Sequence, residues 1–189
     1  MHEHEREFVR LQTKLRRIFQ ASLHDFLERD VDNVLNGVAE RNLCQRLSMP
    51  LERHALAAGL SDYRADVEFN RSNDGKLKTI AGENMETVTI TCDLILHSRG
   101  LNPDRDNLIA IEMKRRSHPA REKHKDRVRL MALTREPFEG VWSADGQADP
   151  QHVCDYVLGY FLELDGTART LLVEEYIRGS VSGKRVEHF

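Results

Sequence analysis

The stretch Asn107-Leu-Ile-Ala-Ile-Glu-Met-Lys-Arg115 decides how the rest of the chain is organised. Taken as a strand, it sends Ile109, Ile111 and Met113 to one face and Leu108, Ala110, Glu112 and Lys114 to the other. A strand this apolar is expected at the centre of a sheet, covered on both sides. Its end carries a carboxylate and an ammonium two residues apart. Charges there cost stability unless they pair or bind something.

Upstream, Val88–His97 is a second expected strand, and the loop Ser98–Asp106 between the two is rich in Gly, Asn, Pro and Asp. A hairpin with its tip near Asn102-Pro103 brings together residues whose numbers sum to about 205. Asp93 then faces Glu112, Ile95 faces Ala110 and Thr91 faces Lys114. Opposed residues share a face, with Cβ atoms about 5 Å apart. Two carboxylates that close repel unless a cation lies between them. Lys114 supplies part of that charge, and Mg²⁺ is the natural remainder, since it accepts one or two carboxylates, waters and phosphate oxygens. The register is decisive, because a slip of one residue moves Asp93 to the opposite face.

Asp93 followed by Glu112-Met113-Lys114 resembles the PD-(D/E)XK nuclease motif in its Asp…Glu-x-Lys form. The surrounding order also resembles that superfamily across about residues 36–165: helix with a glutamate, strand, strand with Asp, strand with Glu-x-Lys, helix, strand. The proline that usually precedes the aspartate is replaced by Cys92. The resemblance implies an α/β (α+β) fold of the restriction-endonuclease-like type, with a mixed central sheet flanked by helices and an added N-terminal helix. It implies a Mg²⁺-dependent nuclease, with Mn²⁺ substituting, that hydrolyses phosphodiester bonds, DNA more than RNA. Asp93 and Glu112 would be metal ligands together with the main-chain carbonyl of Met113. Lys114 would position or deprotonate the attacking water, and Glu40 would complete the catalytic set. The alternative is a catalytically inactive protein of the same fold that binds nucleic acid or protein. A third reading is an α/β protein in which these charges are structural. An acid in the first turn of a helix also has a simpler explanation for Glu40, the helix dipole.

Beyond that set, Glu68 and Arg71 on an expected strand Tyr63–Arg71 are candidate neighbours of the site, as is His97. Residues 114 to 129 hold eight Lys or Arg against two acids, Glu122 and Asp126. Arg115, Arg116, Arg121, Lys123 and Lys125 are the candidate phosphate contacts, which would position a substrate without reading its sequence. Asp126 is assigned to organising the helix that carries them, not to catalysis. Trp142, in an expected loop, is a weak candidate for stacking on a base. No zinc finger, RNP aromatics or basic zipper is present, so base-specific readout is not evident.

The remaining elements follow from periodicity. Residues 5–29 form an amphipathic helix with Phe8, Leu11, Leu15, Ile18, Phe19, Leu23 and Phe26 on one stripe, for packing or for a homodimer. A turn is expected at Asp30–Asn36, dividing the chain into a helical segment 1–35 and a nuclease-like domain 36–189. A helix at 37–47, a stop at Ser48-Met-Pro50 and a short helix at Leu51–Ala58 come next. Lys76–Glu86 is expected as loop. A helix starts at Pro119 and runs to about Thr134, with Pro137–Gly140 beyond its end. Val153–Leu164 and Arg169–Arg178 flank Asp165-Gly166, a strong hairpin signal. The tail from Gly179 is expected to be loose.

The totals set outer bounds. The chain has 189 residues, 40% of them hydrophobic and 31% charged, enough for a buried core. A net charge of −3 gives nucleic-acid binding no general support, so any such surface must be local. Cys44, Cys92 and Cys154 are far apart, lack metal-ligand spacing and are odd in number, which reads as reduced and cytoplasmic. No apolar run approaches the roughly 20 residues of a membrane helix, so no membrane partner is expected.

Overall fold

The computed structural model describes residues 3–68, 79–81, 87–89, 91–135 and 154–189, with the backbone alone for 79–81 and 87–89. In chain order the elements are α1 (Glu3–Leu35), α2 (Glu40–Ala57), β1 (Arg64–Val67), β2 (Thr79–Ala81), β3 (Thr87–Thr89), β4 (Leu94–His97), β5 (Asn107–Arg115), α3 (Ala120–Leu133), β6 (Leu158–Asp165), β7 (Thr170–Ile177) and β8 (Ser180–His188).

Six strands make one mixed sheet in the order β1-β4-β5-β6-β7-β8, while β2 and β3 pair separately. All neighbours are antiparallel except β5 and β6. A parallel pair needs a crossover between its strands, and α3 lies in that crossover. The sheet has two cores, one on each face. Leu15, Phe19, Leu23 and Phe26 of α1 and Leu43, Leu47 and Leu51 of α2 bury Leu94, Ile109, Ile111, Met113 and Leu162. Leu130 and Leu133 of α3 bury Ile95, Ala110, Phe161 and Tyr176 on the other face. The result is a three-layer α/β/α arrangement with β5 inside it, Ile109 to Met113 being fully buried.

The hairpin register is the expected one. Leu94 pairs with Ile111, Ile95 with Ala110 and Leu96 with Ile109, each summing to 205, before a bulge at Leu96/His97. Asp93 immediately precedes this ladder. The expected single strand Val88–His97 is divided, since Thr87–Thr89 belongs to the small sheet with β2. The expected loop at Lys76–Glu86 likewise contains β2. Leu108 joins the α1/α2 core and not the face of Ala110.

Other expectations are corrected. The turn at Asp30–Asn36 is helix as far as Leu35, and the chain turns instead at Gly37, whose φ is +74°. Asp30 is held inside the helix because its carboxylate accepts from Asn33 and from Arg46 Nε at 2.7 Å. Pro50 does not end a helix, since α2 continues through it to Ala57. Leu43, Leu47, Leu51 and Ala55 keep one buried stripe across the proline, and that burial outweighs the lost N–H. The tail is also ordered, as β8 pairs with β7 along its length. Its charges are anchored there: Lys184 lies 3.1 Å from Glu174, and Arg185 bonds Glu187 and Gln20.

The apolar stripe of α1, which offered a dimer contact, is taken up by the chain's own core. Phe19 stacks on Tyr160 of β6 with centroids 3.6 Å apart, and Arg16 bonds Glu175 of β7. No helix among the described residues is long and apolar enough to cross a membrane.

Candidate active site

The charged end of β5 lies where three elements meet: the residue before β4, the start of α2 and the middle of α3. Lys114 Nζ is the hub. It lies 3.4 Å from Asp93 Oδ2, 3.2 Å from the Met113 carbonyl oxygen, 3.7 Å from Glu40 Oε2 and 3.4 Å from Asp126 Oδ2. Asp93 also accepts the main-chain N–H of Met113 at 2.9 Å. Glu40 does more than face a helix dipole. Its Oε1 accepts the N–H of Arg115 at 2.6 Å and lies 3.3 Å from His118 Nε2. The sequence therefore brings Asp93, Lys114, Glu40 and the Met113 carbonyl together.

Glu112 sits deeper and is fully buried. Arg129 NH1 donates to its Oε1 at 2.6 Å and lies 3.2 Å from Asp126 Oδ1. Both second oxygens, Glu112 Oε2 and Asp126 Oδ2, are buried and lack a hydrogen bond. Lys114 is near Asp126 Oδ2 but not aligned with it. Burial and the neighbouring Asp93 push the Glu112 carboxyl well above its ordinary range, against the pull of Arg129. Burial lowers the Lys114 ammonium, but Asp93, Asp126, Glu40 and Glu112 outweigh it and raise the pKa. Burial likewise opposes the Arg129 guanidinium and Glu112 raises it. Lys114 is thus a held cation here, suited to orienting and charge neutralisation more than to taking a proton.

Asp126 and Arg129 were not singled out by sequence reading as site residues. They lie three apart on one helix, as a local i,i+3 ion pair does. Only the approach of α3 to β5 brings them onto Glu112. That approach depends on Gly159 of β6, where an added Cβ would meet Thr134 Cγ2 at 2.9 Å.

The other candidates disperse. Glu68 stands beside the site: its N–H donates to the Asp93 carbonyl at 3.2 Å and its carboxylate lies 3.2 Å from Arg41. His97, almost fully buried, is at the far end of β4, 2.8 Å from Asp66. Arg71 and Trp142 lie outside the described residues. Of the basic run, the Arg115 guanidinium donates to the carbonyls of Val34 and Val38. Arg116 pairs with Glu163 and Asp165, and Lys123 with Glu163. Arg127 lies 2.6 Å from Glu174 and stacks over Phe161. Arg121 and Lys125 remain exposed, Lys125 beside Glu122. Most of the run therefore anchors the chain to itself. A separate groove of about 180 Å³ between α1 and α2 is lined by Phe26, Met49 and Pro50, with Arg46 and Arg53 paired to Asp30 and Asp25; no site residue lines it.

The donors are all hard oxygens, the type a divalent cation of the Mg²⁺ kind takes. Among the described residues, no group of three or more His, Cys, Asp or Glu side chains is gathered so as to hold an ion. One or two carboxylates with waters are enough for Mg²⁺. The orphaned oxygen of Glu112, with Asp93 adding to the negative charge around it, fits such an ion. No family model, no curated protein and no solved structure matches the chain significantly.

Proposed function

We infer that the chain is a divalent-cation-dependent nuclease of the restriction-endonuclease-like kind, acting on phosphodiester bonds with DNA as the favoured substrate. One observation carries this reading. Asp93, Glu40 and the Met113 carbonyl, expected on sequence grounds to face a cation, all surround a single positive group, Lys114 Nζ. Asp93 and Glu112 would hold Mg²⁺ with the Met113 carbonyl, and Glu40 would support the site through Lys114 and the Arg115 N–H. When bound, the ion supplies Lewis acidity and offsets charge on the scissile phosphate. Lys114 orients the attacking water and faces the developing charge as a fixed cation. Arg121 and Lys125 are the remaining exposed cations on α3 for a phosphate backbone.

The inactive, binding-only reading has one observation in its favour, the Arg129 guanidinium already seated on Glu112. A cleavage panel separates the two. Linear and circular DNA, single-stranded DNA and RNA are incubated with the full chain and Mg²⁺ or Mn²⁺. Cleavage by the wild type that disappears in folded Asp93→Asn is expected. Intact substrate in every arm, with salt-sensitive binding, would establish the binding-only role.

A further inference from the structure

We propose that Asp126 is a further cation ligand, forming with Glu112 a two-carboxylate subsite on the α3 side of the candidate site. The inference rests on the metal reading above and adds a ligand to it. One guanidinium nitrogen, Arg129 NH1, holds one oxygen of each acid, at 2.6 Å from Glu112 and 3.2 Å from Asp126. The two carboxylates are thereby set side by side. The second oxygen of each is buried and receives no hydrogen bond; Glu112 Oε2 has no donor, and Asp126 Oδ2 has only the unaligned ammonium of Lys114 at 3.4 Å. Glu112 is 0% and Asp126 4% exposed, so solvent does not satisfy them either. Buried carboxylate oxygens without donors are costly, and a native structure ordinarily supplies a partner.

The local charge points to what that partner is. Among the described residues, Glu40, Asp93, Glu112 and Asp126 are four carboxylates, and Lys114 and Arg129 are the cations within ion-pair range of them, besides the imidazole of His118 on Glu40. With all four carboxylates ionised, their formal excess is two negative charges, which one divalent cation cancels. Two protein carboxylates and water are an ordinary complement for a hard ion. Lys114 stands 3.4 Å from Asp126 Oδ2, and an ion on that oxygen would replace this contact.

The test is a Mn²⁺ titration of the full chain, followed by the paramagnetic resonance signal of the free ion. Wild type, Asp126→Asn, Asp93→Asn and Arg129→Gln are compared, with folding checked by circular dichroism. Asp126→Asn is expected to weaken Mn²⁺ binding by about tenfold or more, the scale found when groups supporting a metal site are lost. Arg129→Gln keeps an N–H donor but removes a competing charge, and is expected to tighten binding several-fold. Binding lost in Asp93→Asn but unchanged in folded Asp126→Asn would overturn this inference and leave the metal reading standing. A wild type that binds no Mn²⁺ at millimolar concentration would overturn the metal reading itself. Should Asp126→Asn fail to fold, Arg129→Gln decides: unchanged or weaker binding would show that the two carboxylates hold a proton or a water and not an ion.

Discussion

The carboxylate of Asp93 accepts the main-chain N–H of Met113, the residue between Glu112 and Lys114, at 2.9 Å. A side chain from before one strand thus closes the ladder of the next. The same oxygen lies 3.4 Å from Lys114 Nζ, so the clamp and the cluster of charges share one atom. Any register other than the observed one breaks both.

Asp93 therefore has two separable roles. Asp93→Asn keeps an acceptor for the Met113 N–H and is expected to stay within about 1 kcal/mol of wild-type stability. Asp93→Ala leaves that N–H without its charged partner and should cost about 1.5–3 kcal/mol. Both should lower cleavage by on the order of 10²-fold or more. Urea denaturation and rate measurements on the same samples check this. An asparagine variant that cuts at the wild-type rate would exclude Asp93 from catalysis.

Lys114 is the cation that Asp93, Asp126 and Glu40 share. Lys114→Met should destabilise the metal-free chain by about 1–3 kcal/mol, less than for a fully buried ion pair because Lys114 and Asp93 are partly exposed. A divalent ion binding the native state alone adds about 2.7 kcal/mol at a hundred times its Kd. Thermal melts with Mg²⁺ and with EDTA should show a larger metal-induced rise in Lys114→Met than in wild type. Equal rises would mean that the lysine and the ion do not face the same acids.

Glu175 ties α1 to the sheet, receiving Arg16, Ser182 and the Tyr160 hydroxyl. Burial opposes its charge, but those three hydrogen bonds win and hold the carboxyl below its ordinary pKa. A carboxyl with a lowered folded pKa contributes stability above its unfolded value, about 4.3, and loses it as pH falls through the folded value. Glu175→Gln should cost about 1–3 kcal/mol at pH 7, with the gap to wild type closing as the pH drops below about 4. Denaturation curves across pH 3–7 test the sign; a gap that widens in acid would contradict it.

Gly159 sets the distance between α3 and the sheet. A Cβ there would meet Thr134 Cγ2 at 2.9 Å, Tyr176 Cβ at 3.2 Å and Leu130 Cδ2 at 3.4 Å. Gly159→Ala should destabilise by about 1–3 kcal/mol, as overpacking does. Because α3 carries Asp126 and Arg129, the variant should also bind Mn²⁺ more weakly than wild type. Calorimetric titration of the folded variant would show this, and unchanged affinity would mean that α3 does not contribute to the site.

The strand Asn107–Arg115 and the register of its hairpin were legible because alternation and a short loop are local signals. α3 was also legible, being bounded by Pro119 and Thr134. The long extent of α1 was hidden because Asp30 and Asn33 look like turn residues until Arg46, from another helix, is placed beside them. Pro50 looks like a stop until the burial of Leu47 and Leu51 is known. β8 lacks apolar alternation because it is an edge strand, held by Glu174 on β7 and the Gln20 amide on α1. Asp126 was assigned to organising its helix and Arg129 was not singled out for a related reason: a helix-local ion pair in sequence becomes part of the site only once β6 seats α3. The basic run read as a surface for phosphates, and yet Glu163, Glu174 and Asp165, distant in sequence, engage much of it.

The residue after Lys114 has a consequence for how the molecule can be cut down. The main-chain N–H of Arg115 holds Glu40, while its guanidinium grips the carbonyls of Val34 and Val38, at the end of the first helix and just beyond it. One side chain rivets the exit of α1 and the entrance of α2 to β5. A shortened chain beginning at residue 36 would lose Val34 from that rivet, unseat Glu40 and leave Tyr160 without Phe19. The first helix is thus part of the mounting of the site, and a chain shortened by deleting it would hold Glu40 less firmly against the end of β5.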